Sequence, residues 1–176
     1  GAPAGGVQVA PGVSLGGPFT LVDQTGRTVT ERDFAGRSML IYFGFTYCPD
    51  ICPTTLVEMA AILKLLGDNA ALLQPIFITI DPERDTGKVL KTYTEFFDSR
   101  ILGLTGPPAL VRRAADNFKI RYAKVIEPGA KPGNYAVDHS AGMILLGPDG
   151  QFIKKFAFAM PVDEIAAQIS AFMSAR

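Results

Sequence analysis

Cysteine and histidine are scarce in this chain, whose 176 residues include two of the first and one of the second. Two cysteines cannot build a disulfide scaffold, and a chain long enough to bury its own core does not need one. Neither sign of charge is in excess, with 17 basic against 17 acidic residues, so no nucleic-acid or anionic-membrane partner is expected. The pairs Lys154-Lys155 and Arg112-Arg113 read as solvated surface. No apolar run approaches the roughly 20 residues of a membrane span. A basic segment followed by an apolar one, the mark of a signal peptide, is also missing at the start. The opening stretch, GAPAGGVQVAPGVSLGGP, carries no charged side chain and is half Gly and Pro. It cannot bury enough surface to offset its ordering entropy, so residues 1–17 are expected to be a flexible linker and 18–176 a single domain. The five methionines are scattered and read as core filler.

What is present reads as globular, with 48% hydrophobic and 19% charged residues. PFTLVDQTGRTVTERDF predicts a hairpin around DQTGR. SMLIYFGF is a continuous apolar run of strand length, the pattern of a central strand covered on both faces. A helix beginning at Pro53 follows, with Leu56, Met59, Ala60, Leu63 and Leu66 at helical spacing and Gly67 at its end. PIFITI is a second buried strand. Residues 86–97 predict a helix with Val89, Leu90, Tyr93 and Phe97 on one side. A short strand (ILGLTG), a helix opened by proline (PPALVRRAADNF), a strand-like IRYAKVIE and a loop (PGAKPGNYA) come next. A hairpin about GPDG and a closing amphipathic helix complete the chain. Early βα alternation and a late hairpin imply an α/β fold: a thioredoxin-like mixed sheet flanked by helices, with an N-terminal β-hairpin.

Both cysteines lie in GFTYCPDICPTT, between a central strand and a helix. Cys48 and Cys52 are thus expected at or just before a helix N-terminus, whose positive dipole end favours thiolate, the reactive and metal-binding form. A helical i,i+4 pair holds its Cβ atoms about 5–6 Å apart, whereas a disulfide prefers about 3.5–4.5 Å. Two thiolates each about 2.3 Å from one metal suit this spacing at least as well as a bond does. Two inert buried cysteines are the plain alternative. His139, in YAVDHSAGMILL, stands at the foot of the strand predicted over 143–146. A lone histidine is more often an ordinary surface residue than a ligand, but in a thioredoxin-like sheet this strand start lies beside the cysteine loop. Relatives of thioredoxin often place a cis-proline there; here Asp138, His139 and Ser140 stand instead. Two thiolates and an imidazole form a soft set that suits Cu(I), and with an added oxygen Cu(II). Structural zinc normally takes four protein ligands, and Asp138 or Asp50 as a fourth reads more simply as a turn or surface carboxylate.

GFTYCPDICPTTL, TIDPERDT and YAVDHSAG, in that order and separation, resemble the Sco/SenC family of thioredoxin-fold proteins that help assemble the copper centre of cytochrome c oxidase. The resemblance runs from about Pro18 to the C-terminal helix. It implies Cys48, Cys52 and His139 as copper ligands, and a structural or supporting role for Asp81, Pro82, Arg84 and Asp85. Tyr47 stands where many members have histidine. The implied function is a copper metallochaperone, without chemical turnover, acting as a monomer. The implied partners are the copper-bearing oxidase subunit and other copper chaperones or thioredoxin-like reductants. Members are usually tethered by one N-terminal membrane helix, so the expected place is outside the cytoplasm. A bacterial periplasm is favoured over a mitochondrial intermembrane space. The competing reading is a thiol–disulfide oxidoreductase in which Cys48 attacks and Cys52 resolves. A thiol peroxidase shares the fold, but the C-terminal half departs from it.

Overall fold

The computed structural model describes residues 6–7, 16–48, 51–131, 136–139 and 142–175, with 6–7 and 136–139 described by backbone alone. In chain order the elements are β1 (Gly6–Val7), β2 (Thr20–Asp23), β3 (Thr28–Thr30), β4 (Ser38–Gly44), α1 (Ile51–Leu66), β5 (Leu73–Thr79) and α2 (Gly87–Phe97). They continue with β6 (Leu102–Thr105), α3 (Pro108–Asn117), β7 (Tyr122–Val125), β8 (Ala136–His139), β9 (Met143–Leu146), β10 (Phe152–Phe156) and α4 (Val162–Ser174). Eight strands make one mixed sheet in the order β1-β10-β9-β4-β5-β6-β2-β3, while β7 and β8 form a separate two-stranded ribbon. β4, β5 and β6 run parallel, and the remaining pairings are antiparallel. No helix among the described residues is long and apolar enough to cross a membrane.

All seven residues of β4 are buried, as its unbroken apolar run predicts for a strand covered on both faces. Successive side chains point to opposite faces. Tyr42 therefore meets Phe77 (ring centroids 6.1 Å apart), while its neighbour Phe43 meets Phe118 at the end of α3 (5.6 Å). α1 buries Leu56, Met59, Ile62 and Leu63, at roughly 1.5–3 kcal/mol for each large apolar side chain. Gly67 stops the helix with a φ of +57°, a left-handed conformation that glycine adopts without a Cβ clash.

Four sequence-based expectations need correction. α1 starts at Ile51 rather than Pro53, because a proline in the first helical turn gives up an N–H that has no intrahelical partner. Val89 is exposed, at the edge of the apolar stripe that Leu90 and Thr94 bury. Lys154 is buried rather than solvated, with its Nζ donating to Gln168 Oε1 on α4. The segment ending in His139 is a strand in its own right, paired with β7, rather than only a lead into β9. Within the stretch expected to be linker, Gly6–Val7 pair with β10, and Gly16 N–H donates to the Asn117 carbonyl at 2.7 Å.

Candidate metal centre

The cysteine segment leaves the C-terminal end of β4, and the Asp81-Pro82-Glu83-Arg84-Asp85 segment leaves the C-terminal end of β5 beside it. Open α/β sheets gather their chemistry at this end of the parallel strands. Asp85 joins the two segments. Its carboxylate is fully buried and accepts from Thr46 N–H (2.9 Å), Thr46 Oγ1 (2.6 Å) and Thr79 Oγ1 (2.7 Å). Asp81 N–H donates to the same Thr79 hydroxyl at 2.9 Å, and the Asp81 carboxylate pairs with Arg84 Nε at 2.5 Å. The Arg84 guanidinium in turn covers the exposed Tyr47 ring, 4.3 Å from its centroid. The chain at Thr46, two residues before Cys48, is thereby tied to the segment that follows β5.

Both cysteines are free thiols, and their environments differ. Cys48 is half-buried and precedes the helix. Its Sγ accepts from the Cys52 N–H at 3.4 Å, so a sulfur satisfies one of the orphan donors of the first turn of α1. That contact places Cys48 at the positive end of the helix dipole. Cys52 lies inside the first turn and is fully buried, with its Sγ 3.3 Å from the Tyr42 hydroxyl. Burial pushes the Cys52 thiol up to about 12, against the hydrogen bonds from Tyr42 and the Phe45 backbone that pull it down. Burial likewise pushes the Tyr42 hydroxyl above the usual phenol range, so the phenol keeps its proton and is the donor whenever Cys52 is a thiolate. Favoured ionisation was expected for both thiols; for Cys52 desolvation outweighs the helix terminus. A bound cation would reverse that balance by supplying the missing positive charge.

This asymmetry sets an expected result. In the reduced apo protein Cys48 should be alkylated at least about tenfold faster than Cys52, since accessible thiolate is the reacting form. Mass spectrometry after brief iodoacetamide treatment checks it.

His139 is the last residue of β8, paired in register with Tyr122; its side chain lies outside the described residues, as do Asp50 and Ser140 entirely. β9 follows within a few residues and runs antiparallel to β4, with Ile144 opposite Ile41. The start of β9 therefore lies at the end of the sheet where β4 gives way to the cysteine segment. Among the described residues no three His, Cys, Asp or Glu side chains gather as a metal site; Cys48 and Cys52 are the soft donors described at this end of the sheet. Sequence reasoning missed the Tyr42 hydroxyl, which lies outside the cysteine motif, and the closeness of Gly44 to Cys52, which comes from packing rather than from spacing. It had flagged Asp85 only as supporting; a threonine on each of the two strand ends was the available signal.

A strand that ends in a paired-cysteine helix start, followed by a crossover to a parallel neighbour, defines a thioredoxin-like thiol protein. The SCO1/SenC family model matches residues 8–174, and the chain belongs to that family. It is 43% identical over 144 residues to the SCO2-like protein of Rickettsia felis, covering 82% of this chain and 70% of that relative. It is 41% identical over 163 residues to Protein SCO1 homolog, mitochondrial, of Homo sapiens, covering 90% of this chain and 53% of that relative. The chain thus spans about half the human relative's length. The crystal structure of Arabidopsis thaliana ScoI with copper bound superposes with a TM-score of 0.86 at 35% identity, covering 93% of this chain and 100% of that one.

Proposed function

We propose that this domain is a copper metallochaperone that binds one copper through Cys48, Cys52 and His139. It passes the metal to the cytochrome c oxidase subunit that holds the dinuclear copper centre. The observation that carries this reading is the placement of the cysteines. A half-exposed sulfur just before α1 accepts from its first turn, where the buried sulfur lies, and β9, which begins a few residues after His139, starts at the same end of the sheet. Two sulfurs and an imidazole are soft donors suited to Cu(I), and the copper-bound relative supports copper as the cargo. Cys48 is the ligand an incoming partner thiolate reaches first, so release proceeds from Cys48 inward to Cys52. In this reading the domain acts as a monomer tethered to a membrane outside the cytoplasm, with the bacterial periplasm favoured.

A specific observation also favours the thiol–disulfide oxidoreductase reading. An accessible Cys48 beside a buried Cys52 is the arrangement of an attacking and a resolving thiol. In that activity Cys48 thiolate attacks a partner disulfide and expels one partner thiolate. Cys52 then attacks the mixed disulfide, releasing the second partner thiolate and leaving Cys48–Cys52 oxidised, with a thioredoxin-like reductant returning the two electrons. His139 separates the readings, because thiol exchange has no need of it.

The deciding measurement is copper binding to the anaerobically reduced protein, wild type against His139→Ala. The expected result is one copper with two sulfur and one nitrogen ligands by X-ray absorption, and at least about tenfold weaker retention without the histidine. Equal and poor retention by both, together with brisk reduction of a model disulfide, would transfer the function to the oxidoreductase.

A further inference from the structure

The ribbon that carries His139 stands apart from the main sheet, and a two-stranded ribbon alone is marginally stable in water. Among the described residues, side chains of β7 tie it to the body of the domain, with Tyr122 packed against the core. Arg112, on α3, makes the most direct tie. Its guanidinium carbon lies 3.7 Å from the centroid of the Tyr122 ring, and its Nη1 donates to the Tyr122 carbonyl at 3.5 Å. Tyr122 is the residue paired in register with His139 across the ribbon. A second tie, Lys124 Nζ to Glu83 Oε2 at 3.1 Å, links β7 to the Asp81–Asp85 segment. Both its side chains are substantially exposed, where an ion pair contributes little. Asp81, Pro82, Pro108, Arg112, Tyr122 and Lys124 line a cleft of about 250 Å³ between ribbon and body. The stacked arginine lies along this cleft and joins α3 to β7.

We propose that Arg112 and Tyr122 are positioning residues for His139, holding β7, and through the β7–β8 register the ligand strand, against α3. This rests on the reading of His139 as a copper ligand. The arginine suits the task because its planar guanidinium stacks on the ring while an edge N–H reaches the backbone of the same residue. A lysine ammonium offers a point charge without the plane. Arg112 is exposed and can be changed without opening the core, whereas the half-buried Tyr122 packs against it, so Arg112→Gln is the cleaner probe and Tyr122→Phe the control for the ring.

The test compares Arg112→Gln, Tyr122→Val and Tyr122→Phe with wild type and His139→Ala, each fully reduced and loaded with copper alone. Three readouts are taken: retention against a competing chelator, the nitrogen ligand by X-ray absorption, and amide hydrogen exchange of β7 and β8 in the copper-free protein. Arg112→Gln and Tyr122→Val should each weaken retention about 3–10-fold, the range of a lost cation–π contact. They should also diminish the nitrogen signal and speed exchange in the ribbon while leaving β4 and β5 protected. Tyr122→Phe keeps the ring and should restore all three. Wild-type behaviour of Arg112→Gln and Tyr122→Val alongside a copper loss in His139→Ala would overturn the positioning role alone. Undiminished copper binding by His139→Ala would overturn the ligand reading, and the positioning role with it.

Discussion

Replacing Gly44 by alanine is expected to destabilise the domain by about 3 kcal/mol, the upper part of the range for overpacking a closed core, and, on the function proposed above, to abolish copper binding. A Cβ on Gly44 would lie 2.7 Å from Tyr42 Cε1, 2.8 Å from Cys52 Sγ and 2.9 Å from Phe77 Cε2. All three neighbours are buried with essentially no exposed surface, so none can swing into solvent. The sulfur is the atom whose displacement matters, since it sits on the first turn of α1 and is held by the Tyr42 hydroxyl. Pushing it away separates it from Cys48 and breaks the donor set before any ligand has been mutated. Chemical denaturation together with copper stoichiometry of the reduced protein checks both halves. A Gly44→Ala protein with unchanged midpoint and full copper would refute the claim that the end of β4 is closed around Cys52.

The second large effect is expected at Asp85. Its replacement by alanine leaves the Thr46 N–H, the Thr46 hydroxyl and the Thr79 hydroxyl without their acceptor. A buried unsatisfied donor costs about 1–3 kcal/mol, and partial rescue by water brings the expected total to about 3–5 kcal/mol. The loss also carries a pH signature. Burial pushes the Asp85 carboxyl above its ordinary value, against the pull of the Thr46 and Thr79 hydrogen bonds, and nearby Asp81 adds to the rise. The native state thus holds this proton more tightly than the unfolded chain does. Its contribution to stability is complete below the ordinary carboxylate value and declines as pH rises through the raised native one. The stability difference between wild type and Asp85→Ala should therefore be larger at about pH 4 than at about pH 8, measured by urea denaturation. A difference that grows with pH would mean that the three hydrogen bonds outweigh desolvation. The cysteine segment should loosen in the same variant, because Thr46 loses both its anchors.

Much of the scaffold was legible because burial and period coincide in it. β4 and β5 read as central strands from unbroken apolar runs, and α1 ended at the one residue suited to a left-handed turn. The helix start was misplaced because proline was taken as a first residue, although any position in the first turn tolerates a missing N–H. Lys154 was misread because a lysine pair looks solvated until the helix that covers one of the two is known. The cysteine pair was visible from composition and junction. The opposite character of its two members was not: it comes from Tyr42 and Gly44 lying against a fully buried Cys52, contacts fixed by strand pairing rather than by spacing. The ribbon strand ending in His139 was hidden for a related reason. Its four residues gain their place from β7, and no alternation of apolar residues announces them.

The ends of the sheet bear on how another protein can be met. The terminal strands of the order are β1 and β3, two and three residues long, while the seven-residue β4 and β5 lie inside it. A visiting strand that sought to extend the sheet would find too few free backbone groups on either side to form a lasting ladder. A partner for the function proposed above is then expected to be met by side chains at the mouth of β4 and β5, and contacts of that kind can separate one at a time, which suits handing something over.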